Sequence, residues 1–88
     1  SPAQARALKK QGIGEMRQGR AFLTAAGHPG DPGEQENLAQ ALSHLQKAQE
    51  CFADATTVLR TDMDLQSLSE SCGRMLYSAQ KRRILDFH

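Results

Sequence analysis

The groups best suited to chemistry in this chain are its two cysteines and three histidines, and their spacing does not assemble a reaction centre. His44 is followed seven residues later by Cys51, which on a helix puts the two on one side but two turns apart. That is too far to share a metal ion, and no third ligand stands at close spacing. His28 falls in a proline-glycine segment and His88 is the last residue, so neither has an evident partner, and His44 is expected to be solvated. Cys51 and Cys72 both occupy partly apolar, helical positions. They are expected as reduced, buried thiols, an interhelical bridge requiring that the two positions face each other. There is no Ser/His/Asp pattern and no phosphate loop, and Gly12 and Gly14 sit inside a helical pattern with no strand before them. The expectation is a protein that is not an enzyme and needs no cofactor or metal.

The remaining chemistry is cationic. Lys81-Arg82-Arg83, with Arg74 two turns earlier and the cations of the first segment, has the composition of a phosphate-holding surface. Three features weigh against it: a formal net charge of only +1, no aromatic interleaving, and a helix dipole that favours cations in a last turn anyway. A solvated, dipole-compensating end is the expected reading, with nucleic acid disfavoured and an anionic lipid surface the lesser alternative.

These residues are carried by helices organised around Leu38 to Leu59. Leu38, Leu45, Phe52 and Leu59 recur every seventh residue, and Ala41, Ala48 and Ala55 do so on the intervening rung, which makes one long buried seam. The alanine rung admits a neighbouring backbone, and the large rung projects into it. Ala48 sits mid-seam, where added volume should force helices apart. Leu38 sits near the helix end, where truncation should cost less.

Before this helix, Ala5, Leu8, Gly12, Met16, Gly19, Phe22 or Leu23, and Ala26 fall at three- and four-residue steps, predicting helix one over 3–26. Gly12 and Gly19 lie seven apart on the inward face, which argues for close packing. The segment from Gly27 to Gly33 contains two prolines and cannot continue a helix. Asp31 before Pro32 reads as an N-cap, giving helix two over 33–60. Thr61 to Asp64 offers further caps, and Leu65, Leu68, Cys72, Met75 or Leu76, and Ala79 predict helix three over 64–85.

With short connections the three helices form an all-α, up-down-up antiparallel three-helix bundle, one domain over residues 1–88. Helix one carries about four net positive charges and residues 27–60 about three net negative, which favours their pairing. No apolar run approaches the roughly twenty residues of a spanning helix and no signal peptide is visible, so a soluble, intracellular domain is expected. The opening Ser1-Pro2, without an initiating methionine, suggests a piece of a longer protein.

The run Ala41-Leu42-Ser43-His44-Leu45-Gln46-Lys47-Ala48-Gln49-Glu50-Cys51-Phe52 resembles the second helix of MIT (microtubule-interacting and trafficking) domains. Cys72 followed by Met75-Leu76-Tyr77-Ser78-Ala79-Gln80-Lys81 is similar to the ending of their third helix. The resemblance covers about residues 38–85. It departs in the longer, proline-rich loop, in the three glycines of helix one, and at Ser78 and Gln80, where the family carries an arginine and a glutamate. It implies a cytoplasmic, endosome-associated adaptor in membrane trafficking that binds a short peptide, such as an ESCRT-III C-terminal tail, in a groove between helices two and three. The peptide-binding residues it implies are Gln46, Gln49 and Ala53 on helix two, with Cys72, Leu76, Gln80 and Arg83 on helix three. Leu76 is expected in an exposed groove while Met75 and Ala79 carry the packing.

The alternative is a TPR-like hairpin or generic three-helix module that docks within a larger protein, suggested by Val58, Ile84 and Phe87 lying off the main seam.

Overall fold

The structure is a computed structural model and describes residues 1–86. Three helices, α1 (Pro2–Ala26), α2 (Glu34–Thr56) and α3 (Met63–Asp86), run up, down and up in an elongated bundle of 44 × 17 × 15 Å. Among the described residues there is no strand, and no helix is long and apolar enough to cross a membrane.

Each helix starts and stops for a local reason. Ser1 caps α1: its hydroxyl accepts from the Gln4 backbone N–H at 3.3 Å while the Gln4 side chain reaches back, and Pro2 supplies a preset φ in the first turn. Gly27, at φ 66°, ends it. The expected cap of α2 at Asp31 is replaced by Gly33 at φ 78°. The Asp31 carboxylate turns back to accept from the His28 N–H at 2.9 Å, closing the loop on itself and leaving Pro32 outside the helix. α2 stops at Thr56, short of the expected end near residue 60. The hydroxyls of Thr56 and Thr57 donate to the carbonyls of Phe52 and Asp54, both at 2.7 Å, and the last turn tightens as Val58 N–H reaches Ala55 O. Asp62 caps α3 by accepting from the Leu65 N–H at 3.0 Å.

The seam of α2 is buried as its spacing requires: Leu38, Ala41, Leu45, Ala48, Phe52 and Ala55 are all fully enclosed. Leu59 lies beyond the helix and is half-buried. Leu38, expected near a frayed end, instead anchors a cluster with Ala26, Leu42 and Ala79, so its truncation should carry the full cost of about 2 to 5 kcal/mol. A larger cluster holds Met16, Leu45, Ala48, Phe52, Leu65 and Cys72, among others.

The glycines of α1 set the closeness of the α1–α2 contact. A Cβ on Gly12 would come within 2.5 Å of the Phe52 ring, and one on Gly19 within 2.7 Å of Leu45 Cγ. Gly14, between them, faces open space. α1 therefore settles deeply against α2, α3 packs mainly on α2, and α1 and α3 meet only sparingly.

Candidate functional site

Because α1 and α3 both lean on α2 rather than on each other, the side between them stays open in the middle. Ile13, Met16, Arg17 and Arg20 of α1 and Leu68 of α3 line a cleft of about 200 Å³. Ile13 and Leu68 are half-buried and Met16 is nearly enclosed, so the floor is apolar, whereas both arginines are exposed at its rim.

The cleft is tied at each end. At one end Lys9 Nζ lies 2.8 Å from Asp62 and 3.1 Å from Asp64. The hydrogen bond from Lys9 holds the Asp62 carboxyl below the usual carboxylate value, aided by the Leu65 N–H, and the same bond raises the Lys9 ammonium above its usual value. At the other end Arg82 reaches from α3 to the buried Glu34 carboxylate at 2.8 Å. Its guanidinium also donates to the Ala26 and Gly27 carbonyls, at 3.4 and 2.8 Å, and so satisfies the C-terminus of α1. Arg82 is thus a built structural contact, not the solvated end expected of the cationic run. Lys9 and Ala26 are 17 residues apart on α1, so the ties stand about 26 Å apart along the helix.

The residues expected on the α2–α3 side are brought together only in part. Gln46, Ala53 and Gln80 are exposed and Gln49 and Arg83 are half-buried. The Gln49 amide crosses toward α3, with Nε2 3.7 Å from where a Gly73 Cβ would stand. Cys72 does not belong to a surface. It is wholly enclosed, donates its S–H to the Leu45 carbonyl at 3.4 Å, and has its thiol pushed up by burial. Leu76 is half-buried and packs against both core clusters alongside Met75 and Ala79, so it closes the core where an exposed groove residue was expected. At the α2–α3 corner Val58 and Met63 are exposed, Met63 by 71%; Phe87 and His88 lie outside the described residues, as does the side chain of Ile84.

His44 is not solvated. Its Nδ1 lies 2.7 Å from Glu15 Oε2, and its ring stacks on Phe22 with centroids 5.5 Å apart and planes 9° from parallel. This contact turns the acid of α1 away from the cleft. Cys51 is buried nearby, its thiol raised by burial and then by the Glu15 charge, and both cysteines are free thiols. Among the described residues no three of His, Cys, Asp and Glu are grouped to hold a metal ion.

Sequence reasoning missed the cleft, although Ile13 and Leu68 beside Arg17 and Arg20 were its visible signal. Compared with known proteins, the chain matches no protein-family model, no curated protein and no solved structure.

Proposed function

We propose that the chain is a non-enzymatic interaction module, an MIT-like adaptor in membrane trafficking, that seats a short peptide segment in the cleft between α1 and α3 rather than in the groove between helices two and three that the resemblance implies. The observation that supports this reading is the apolar floor of Ile13, Met16 and Leu68, left open between two tied ends. Two helices packed on a third and only sparingly on each other leave the place of a fourth helix vacant, and a helical segment laid there would complete a four-helix arrangement. The resemblance to MIT domains makes ESCRT-III C-terminal tails the first peptides to try. Titrating labelled tails into the chain and into Leu68→Asn and Ile13→Asn variants tests it. Binding weakened in both variants at unchanged helicity is expected; tails that bind all three proteins equally, or none, contradict it.

A second reading, a module docked within a larger protein, is favoured by the exposed Val58 and Met63. Such docking would make these two residues, rather than the cleft, the sites whose polar substitution abolishes association.

A further inference from the structure

The charges around the cleft are one-sided, and this narrows what would fit there. Arg17 and Arg20 are exposed at its rim, and their guanidinium groups make no ion pair or hydrogen bond among the described residues. Arg6 and Lys10 continue the same side of α1 toward its start, at helical spacing from Arg17, and are also exposed. The single acid of α1, Glu15, is held on the opposite side by His44 at 2.7 Å.

The α3 wall brings no compensating acid in the middle of the cleft. On the face of Leu68 the helical spacing puts Asp64, Ser71 and Met75, while Glu70, with Arg74 one turn on, falls away from it. The acids that do face α1, Asp62 and Asp64, are taken up by Lys9 at the end. The result is an apolar floor under an uncompensated cationic rim.

Resting on the reading of the cleft as a peptide site, we infer that its occupant is an acidic amphipathic helix: aliphatic side chains at i, i+3 or i+4 and i+7 face Ile13, Met16 and Leu68, and Asp or Glu residues flank them opposite Arg17 and Arg20. A ligand apolar throughout would leave the arginines unmatched. A phosphate backbone would leave the floor uncovered, and the cleft offers no aromatic ring on which a base could stack. Exposed pairs of this kind contribute to selectivity and encounter more than to raw affinity, and they weaken with salt.

The test uses two synthetic leucine-based amphipathic peptides of about seventeen residues, which at about 1.5 Å per residue match the distance between the two ties. One carries Glu at the flanking positions and the other carries Gln. Each is titrated by fluorescence anisotropy into the 88-residue chain and into an Arg17→Gln/Arg20→Gln variant, whose circular dichroism should be unchanged because the two guanidinium groups hold nothing together. Phosphatidylserine vesicles serve as a third probe.

The acidic peptide is expected to bind about tenfold tighter than the neutral one, with the advantage lost in the variant and at about 1 M salt. Equal binding of the two peptides in the cleft would overturn the charge inference and leave the peptide site standing. Binding of neither would overturn the peptide site itself. Vesicle binding lost in the variant, with both peptides ignored, would replace the acidic helix by a lipid surface.

Discussion

Replacing Gly12 and Gly14 separately by alanine isolates the contact that fixes how deeply α1 enters the bundle. Both glycines lie in the interior of the same helix, so each substitution gains about 0.5 to 1 kcal/mol of helix propensity. At Gly14 the new methyl meets nothing within 4 Å, so that gain should appear whole, and at about 4 to 8 °C per kcal/mol for a domain of this size the melting temperature should rise by roughly 2 to 8 °C. At Gly12 the methyl would stand 2.5, 2.8 and 3.1 Å from three carbons of the Phe52 ring. That ring is fully enclosed and cannot swing into solvent, so α1 must lift or the core must repack, at a cost of about 1 to 3 kcal/mol. The net effect of Gly12→Ala is therefore a loss of up to about 2.5 kcal/mol, and the two variants should differ by the overpacking term alone, about 1 to 3 kcal/mol. Urea denaturation followed by circular dichroism measures both, with unchanged m-values as the sign that the unfolded state is not the cause. If Gly12→Ala and Gly14→Ala were equally stabilising, the close α1–α2 contact would be wrong, and with it the reason α1 and α3 stay apart.

Arg82→Ala should destabilise the chain by about 1 to 3 kcal/mol, because the buried Glu34 carboxylate and the α1 carbonyls lose a charged donor, and Arg82→Lys should recover only part; urea midpoints decide it. The Lys9–Asp62 tie depends on pH: the depressed Asp62 carboxyl contributes stability above its ordinary 3.8 that is lost as pH falls through the lower folded value, and the raised Lys9 contributes below 10.5 and is lost above it. Asp62→Asn, which keeps the cap, should flatten the acid limb of a melting temperature against pH curve. Both thiols should be unreactive to a disulfide reagent in the native chain and both should react after unfolding, since burial raises each. Leu76→Asp should unfold the protein rather than separate binding from folding, whereas Gln80→Glu, on an exposed position, should leave the stability within about 0.5 kcal/mol of the parent.

The core was legible because a strict seven-residue repeat of Leu38, Leu45 and Phe52 has few outlets other than burial, and the heptad-spaced Gly12 and Gly19 fit only a close neighbour. The cleft was not legible. The pattern of each helix shows its own seam, whereas the gap between α1 and α3 depends on how far α1 sinks into α2, which is a property of the assembled bundle. His44 and Arg82 were misread for a related reason: their partners Glu15 and Glu34 stand 29 and 48 residues away, so nothing in the local run announces them. Charge balance between helix one and residues 27–60 likewise did not translate into its own pairs, since Lys9 turns to the start of α3. Leu76 was placed in an exposed groove by resemblance, where the small and large apolar rhythm of helix three fits a core face equally well, whereas Cys72, expected as a buried thiol from its apolar helical position, is one.

The most direct measurement of where a ligand sits is two-dimensional amide NMR of the labelled chain during titration with the acidic amphipathic peptide and with ESCRT-III tails. A peptide seated between α1 and α3 should shift the amides of Ile13, Met16, Arg17, Arg20 and Leu68 while leaving the far side of α2 quiet. Shifts concentrated instead at Gln46, Gln49, Gly73 and Gln80 would put the site between α2 and α3 and contradict the account.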